Sequence, residues 1–242
     1  DRCGVPILSK YQLDLIAEDF ISDFYPEALK SPREIDVDSF AQNYLGLIQD
    51  YAYLSHNGVY LGMMVFNDTD GIIVYEPDTN GIKCISADAR TMIIDNQLLE
   101  DRQECRYRFT VLHECGHDIF HRGYYSQVPN QLSLFNNYGQ PTVKCRSINI
   151  GGNKKATKEW TKDDTMEWQA NYFAAALLLP KSMVIKAVQE EHERYKNLRN
   201  NFFNKDSVTI NSIAKIFNAS EEATRYRLEG LELIGNSEQL HI

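Results

Sequence analysis

The chain has 242 residues, of which 43% are hydrophobic and 24% charged, enough for one large soluble domain or for a domain with an appendage. Its formal net charge of −9 argues against nucleic acid as the main partner, because binding to a duplex depends largely on neutralising phosphates. The longest apolar run, residues 174–179, is too short to cross a membrane.

The cysteines and the first residues indicate a cellular compartment. Five cysteines stand at positions 3, 84, 105, 115 and 145, a spacing that forms neither a C-x-x-C pair nor a disulfide framework. Acidic residues interrupt the region where the hydrophobic core of a signal peptide would lie. We therefore expect a cytoplasmic protein without membrane attachment.

The first fifty residues predict two amphipathic helices. Apolar residues recur at helical spacing over residues 10–24 and again after Ser31-Pro32, where they extend from Val37 to Ile48. We expect residues 1–50 to form a helical segment that packs on the domain that follows.

Residues 51–95 change to the pattern of short strands. Four β-rich runs (59–66, 71–75, 82–85 and 92–94) alternate with turns such as Asn57-Gly58 and Asn80-Gly81. They predict a small antiparallel sheet that leads into a helix beginning around residues 98–103. Residues 51–195 are expected to form one domain.

That helix contains His113-Glu114-Cys115-Gly116-His117, an H-E-x-x-H pattern. Side chains four residues apart lie on one face of a helix, so His113 and His117 can hold one zinc ion from the same side. Glu114 lies about 100° round the helix, where it can take a proton from zinc-bound water.

A catalytic zinc site needs a third protein ligand, and Glu167 is the candidate. It lies in a predicted helix with Asp163 and Asp164 near its start and Pro180 after its end. Glu167 shares a stripe with Ala170, Asn171, Ala174 and Leu178, and these small neighbours would let the helix approach the H-E-x-x-H helix closely.

Residues 141–162 are a basic segment inside an acidic chain. They hold six lysines and arginines against Glu159, a net charge of +5. Two interpretations stay open: a solvated loop, or a lip beside the cleft that attracts an acidic polypeptide.

The C-terminal part, residues 205–242, predicts a subdomain resembling a helix-turn-helix. Residues 208–217 form one helix, and Ser220 can cap a second that runs to residue 231. Residues 205–232 carry four basic and five acidic side chains, a net charge of −1, which argues against direct DNA binding.

Residues 108–121, residues 167–180 and the trailing pair of helices resemble the ImmA/IrrE family of bacterial zinc metallopeptidases. The resemblance covers roughly residues 35–235. It implies a cytoplasmic α+β protein in which residues 51–195 form a zincin-like metallopeptidase domain. One zinc ion per chain would be held by His113, His117 and Glu167, with Glu114 as the base. The resemblance also implies cleavage of a specific regulatory protein of the repressor or antitoxin type.

The predicted reaction is peptide hydrolysis, in which Glu114 removes a proton from the attacking water and returns it to the leaving amine. Two alternatives are a non-enzymatic zinc-containing sensor or interaction protein and a DNA-binding regulator. An intact Glu114 favours the enzyme, since a purely structural zinc site needs no base.

Five further residues carry interpretations from the sequence. His121 lies about 12 Å along the helix from His113, too far to share one ion, and has either a supporting or substrate-facing role or a plain position at the helix end. Cys115 is expected to be buried packing rather than a catalytic thiol. Cys3, in Arg2-Cys3-Gly4-Val5-Pro6, could cap the zinc or lie in a free N-terminal arm. The sequence does not identify the group that donates a hydrogen bond to the developing oxyanion; Tyr172 and Arg146 are candidates without a supporting pattern.

Overall fold

A computed structural model describes residues 5–126, the backbone of residues 142–146, and residues 160–196 and 205–235. Within these ranges no helix is both long and apolar enough to cross a membrane. The helices and strands in chain order are α1 (Lys10–Phe24), β1 (Ile48–Ala52), β2 (Tyr60–Val65), β3 (Thr69–Glu76), β4 (Gly81–Ala87), β5 (Thr91–Asp95), α2 (Glu104–Ser126), β6 (Thr142–Arg146), α3 (Lys162–Leu178), α4 (Lys181–Lys196), α5 (Lys205–Phe217) and α6 (Glu221–Gly230).

The chain divides into two compact units. The sheet unit consists of Asp1–Ser9 with Val37–Ala174, and the helical unit of Lys10–Asp36 with Ala175–Ile242. The boundary between them falls within α3. The predicted domains of residues 1–50, 51–195 and 205–242 stay predictions.

The sheet unit contains a four-stranded sheet in the order β1-β5-β2-β6 and a separate hairpin of β3 and β4. In the larger sheet β1 runs parallel to β5, whereas β2 runs antiparallel to both β5 and β6. The unit is therefore a mixture of helices and small sheets.

The interior strands of the larger sheet are covered on both faces. On one face, side chains of the sheet pack with the β3–β4 hairpin in a cluster formed by Leu54, Met63, Val65, Ile72, Val74 and Ile93. On the opposite face Gly62 of β2 lies against the side chains of Thr110 and Glu114 on α2. Because both faces are covered, all five residues of β5 are buried.

The expectation of an all-antiparallel sheet was incomplete. The four predicted runs are present as β2 to β5, but β1 adds a parallel pair and β6 adds an edge strand. The strand β6 contains Lys144 and Arg146, so this part of the basic segment belongs to the sheet. Residue 141 and residues 147–159 of that segment lie outside the described residues.

Two helix boundaries differ from those predicted. The second helix of the first fifty residues is only a short π-helical turn, Ser39–Tyr44, because Ile48 pairs with Thr91 and begins β1. The helix that carries the H-E-x-x-H residues begins at Glu104, just after the predicted start around residues 98–103. A separate 3-10 helix, Asn96–Leu99, precedes it and is capped by Asp95, which accepts a hydrogen bond from the backbone N–H of Gln97 at 2.9 Å.

The helical unit is joined across distant parts of the sequence by polar contacts. Asp14 of α1 forms an ion pair with Arg227 of α6, with Oδ1 and Nη2 2.7 Å apart and both side chains buried. Arg227 also donates from Nε to the carbonyl oxygen of Leu179 at 3.0 Å. The predicted helix α1 is confirmed with its buried stripe of Leu13, Ala17 and Ile21.

The two short C-terminal helices are present as α5 and α6. Ser220 caps α6 as predicted, since its hydroxyl accepts a hydrogen bond from the backbone N–H of Ala223 at 3.1 Å. The interpretation of this pair as a helix-turn-helix subdomain stays a prediction.

Candidate metal centre

The helix α2 carries the H-E-x-x-H residues on a fully buried stretch. It packs on β2 and β5, and residues 108–118 are all buried. His113, Glu114 and His117 have no exposed surface. The helix period therefore turns both imidazoles to one side and leaves the Glu114 carboxylate toward the sheet.

Reciprocal hydrogen bonds hold the start of α3. The backbone N–H of Thr161 donates to Oδ2 of Asp164 at 2.9 Å, and the Thr161 hydroxyl accepts from the backbone N–H of Asp164 at 3.1 Å. Such a capping box satisfies N–H groups that the helix itself leaves unpaired. Glu167 follows one turn later.

The two helices approach closely at Gly116 and Ala170. A Cβ atom placed on Gly116 would lie 3.1 Å from the Cα of Ala170 and 3.5 Å from its Cβ and carbonyl oxygen. Only a residue without a side chain fits such a backbone approach comfortably. The prediction of close contact at the small residues of α3 is confirmed.

This approach brings the three predicted ligands together. The Nε2 atoms of His113 and His117 are 2.9 Å apart. The carboxylate oxygens of Glu167 lie 3.5 Å from Nε2 of His113 and 3.3 Å from Nε2 of His117. Among the residues that the structure describes, this is the group of three side chains placed to hold a metal ion.

The spacing fits a tetrahedral zinc ion. Zinc bonds to nitrogen and oxygen ligands are about 2.0–2.1 Å long, which places tetrahedral ligand atoms about 3.3 Å from one another. The observed separations of 2.9, 3.3 and 3.5 Å bracket that value. Two histidines and one carboxylate also form a ligand set of catalytic zinc sites.

Burial keeps the imidazoles neutral, which is the form that binds a metal. It lowers the pKa of His113 and of His117 to about 3, although the Glu167 charge opposes the shift at His113. Burial also raises the pKa of Glu114, and the nearby charge of Glu167 raises it further.

Each histidine uses its second ring nitrogen to contact a fixed polar partner. Nδ1 of His113 lies 3.0 Å from Oδ1 of Asn171. Nδ1 of His117 lies 3.0 Å from Nδ1 of His121, which is itself buried and lies 3.0 Å through Nε2 from Oε1 of Gln169. His121 therefore supports His117, and α2 continues beyond it to Ser126.

Glu114 differs from its neighbours because neither of its carboxylate oxygens has a hydrogen-bond partner among the described residues. The carboxylate lies against the backbone of Gly62, where a Cβ atom would come within 2.5 Å of Oε1. Burying a carboxylate without hydrogen-bond partners lowers the stability of the fold. Glu114 is therefore a candidate for a catalytic role rather than a structural one.

An arginine in the turn between β4 and β5 fixes α2 beside His117. Arg90 donates from Nε and Nη2 to the two carboxylate oxygens of Asp118 at 3.2 and 2.9 Å, and Nη2 also donates to the carbonyl oxygen of Leu45 at 2.7 Å. This bidentate contact restricts rotation of the helix at Asp118, the residue that follows His117.

The sequence did not identify several of these contributors. Asn171 stood on the predicted stripe as a neighbour of Glu167, and its polarity on a packing face was a usable signal. Asp118 gave a similar signal as a charge next to His117. Gly62 and Gln169 gave none, because their partners lie far away along the chain.

The structure tests the prediction for Cys115 but not those for Cys3 or for the roles of the site residues. Cys115 is buried, as expected, and burial raises its pKa well above the ordinary value, which makes it a poor nucleophile. Cys3 lies outside the described residues, so its proposed contact with the metal stays a prediction. The roles of His113, His117 and Glu167 as ligands and of Glu114 as base also stay predictions.

A family comparison adds an independent observation. Residues 147–229 match the model of the Peptidase M78 family, described as the IrrE N-terminal-like domain. The resemblance to the ImmA/IrrE family is confirmed. The M78 match includes Glu167 but begins after α2, so the H-E-x-x-H residues lie outside it. A comparison with curated proteins found no match.

The Peptidase M78 match and the side-chain geometry are consistent with each other. The matched family is one of peptidases. The group of His113, His117 and Glu167 is compatible with a bound metal ion.

Proposed function

We propose that this protein is a zinc-dependent endopeptidase with a zincin-like catalytic domain, which cleaves a specific regulatory protein in the cytoplasm. One observation carries the proposal: two helices bring the ligand atoms of His113, His117 and Glu167 within 4.8 Å of one another. The Peptidase M78 match supports the same class of reaction.

When bound to these three residues, a zinc ion would polarise the scissile carbonyl and make a water molecule more acidic. Glu114 takes the proton of the attacking water and returns it to the amine that leaves when the C–N bond breaks. Its carboxylate has no competing hydrogen bond among the described residues, so it is free to exchange a proton. Asn171 holds His113 in place during the reaction.

The partly exposed side of the group determines how substrate reaches it. Both histidines are fully buried, whereas the Glu167 side chain is 36% exposed. A peptide therefore approaches from the Glu167 side. We propose a repressor or an antitoxin as the substrate, since the family resemblance implies cleavage of such a regulator.

The test compares wild type with Glu114→Gln, both loaded with zinc, on the protein that the neighbouring gene encodes. We expect wild type to produce discrete fragments by mass spectrometry, and Glu114→Gln to lose at least about a hundredfold in rate while it retains zinc. Glu104→Gln is the matched control, because it makes the same chemical change at an exposed position in the first turn of α2.

Two results would contradict the proposal. A stable complex without cleavage in wild type would support the sensor or interaction protein instead. Equal cleavage by wild type and Glu114→Gln would show that Glu114 is not the base.

A further inference from the structure

A line of contacts connects the candidate ligand His117 to the main chain near the N-terminus. Nδ1 of His117 lies 3.0 Å from Nδ1 of His121, and Nε2 of His121 lies 3.0 Å from Oε1 of Gln169. The Gln169 amide nitrogen then donates to the carbonyl oxygen of Pro6 at 2.7 Å. All four residues belong to the sheet unit.

The Pro6 carbonyl determines the orientation of the Gln169 amide. A carbonyl oxygen can only accept a hydrogen bond, so the NH₂ group of Gln169 must face Pro6. The amide oxygen of Gln169 therefore faces His121. Because that oxygen can only accept, the His121 proton must lie on Nε2.

The position of the proton on His121 determines the position of the proton on His117. A neutral imidazole carries a single ring proton, and the 3.0 Å contact between the two Nδ1 atoms has room for only one proton between the rings. With that proton on Nε2, Nδ1 of His121 can only accept. His117 must then carry its proton on Nδ1, which leaves the Nε2 lone pair pointing toward His113 and Glu167.

We propose that Gln169 and His121 are positioning residues that hold His117 in the tautomer able to bind the metal. The opposite tautomer would place a proton on Nε2, where the metal must bind. The inference rests on the proposed metal centre, but it does not depend on peptide hydrolysis. Groups that orient a ligating histidine in this way typically contribute about 10–100-fold to metal affinity.

Nuclear magnetic resonance of the ¹⁵N-labelled protein tests the proton positions directly. Long-range ¹⁵N–¹H correlation of the zinc-loaded wild type should show a proton on Nδ1 of His117 and on Nε2 of His121. A proton on Nδ1 of His121 would overturn the proposal, whatever the affinity of any variant.

Two substitutions of Gln169 separate hydrogen bonding from packing. Gln169→Met keeps the length of the side chain but removes the acceptor, and we expect zinc affinity to fall about 10–100-fold in competition with a chromophoric chelator. Gln169→Glu in its protonated form keeps an oxygen that accepts from His121 and offers an O–H to the Pro6 carbonyl oxygen, so its affinity should stay close to that of wild type. A merely structural role predicts the reverse order, because a buried apolar side chain is tolerated better than a buried carboxylate.

Controls separate failure of this inference from failure of the proposed function. Met166→Leu changes another buried residue of α3 and should leave zinc affinity unchanged. If wild type itself binds no zinc, the metal centre is wrong. If wild type binds zinc and Gln169→Met binds it equally, or both Gln169 variants lose equally, only the positioning role is wrong.

Thermal unfolding of each metal-free variant checks that it folds. If Gln169→Met does not fold, the proton positions in wild type decide the question alone.

Discussion

The carboxylate of Glu114 lies against a strand of the larger sheet, at Gly62 of β2. Its Oε1 atom occupies the space that a side chain at position 62 would need. Gly62 therefore has a role that its place in a strand would not reveal, because glycine usually weakens strands. The absence of a side chain there allows the buried carboxylate to lie against the sheet.

Gly62→Ala should displace the Glu114 carboxylate. The new Cβ atom would lie 2.5 Å from Oε1 and 2.8 Å from Cγ2 of Thr110, both of which are ends of side chains that can move. We expect the rate of peptide cleavage to fall about 10–100-fold. Zinc affinity should remain unchanged, because none of the three ligands moves.

The control for this prediction is Gly71→Ala on β3, where the nearest atom to a new Cβ is 3.8 Å away. Steady-state kinetics and chelator competition on both variants provide the measurements. A parallel loss of zinc affinity in Gly62→Ala would contradict the assigned role.

At the scale of single residues, the three residues of the candidate metal site could be proposed from the sequence. The side chains that contact them could not. The i and i+4 spacing of His113 and His117 is a property of the helix itself, so it can be read from the sequence. Glu167 could be predicted because its helix has a clear start and stop. The partnership of Gln169 with Pro6 depends on tertiary folding, and no local pattern indicates it.

At the scale of elements, the distance between α2 and α3 sets the size of the metal site. The helices meet where Gly116 lies against the backbone of Ala170. The imidazoles belong to one helix and the carboxylate to the other. A greater distance between α2 and α3 would therefore separate Glu167 from both histidines.

Gly116→Ala should widen this contact. A Cβ atom 3.1 Å from a backbone Cα cannot be relieved by rotating a side chain, so the helices must shift. We expect a loss of about 1–3 kcal/mol in the free energy of unfolding and a weaker affinity for zinc. Chemical denaturation and chelator competition measure the two effects.

Gly123→Ala on the same helix is the matched control, since no atom lies within 4 Å of its new Cβ. It should be neutral or stabilising by up to about 1 kcal/mol, because alanine favours helix more than glycine does. Unchanged zinc affinity in Gly116→Ala would show that the centre tolerates helix separation.

Strand prediction succeeded where hydrophobic patterns were strong and failed at the sheet edges. The buried strands β2 and β5 were read from their apolar runs. The edge strand β1, with the sequence Ile-Gln-Asp-Tyr-Ala and exposed Ile48 and Tyr51, has no such run. Its parallel pairing with β5 is a long-range contact, and such contacts cannot be read from local sequence.

At the scale of the whole chain, the helical unit depends on a buried charge pair between residues far apart in the sequence. The Asp14 and Arg227 side chains are 6% and 4% exposed. Arg227 also satisfies the carbonyl oxygen of Leu179. This pair connects the first helix of the chain to the last helix in the described ranges.

Removing either charge should destabilise the protein strongly. We expect Asp14→Leu or Arg227→Met alone to lower the free energy of unfolding by about 3–5 kcal/mol, since each leaves the other charge buried without its ionic partner. The double variant should recover part of the loss. A double-mutant cycle by denaturant unfolding measures this coupling, and additive losses would contradict it.

The division of the metal ligands between α2 and α3 also orders events during synthesis. Glu167 leaves the ribosome fifty residues after His117. At roughly 5–20 residues per second, the nascent chain spends about 3–10 s with two imidazoles and no carboxylate. Metal capture by all three candidate ligands must therefore wait until α3 has emerged and docked.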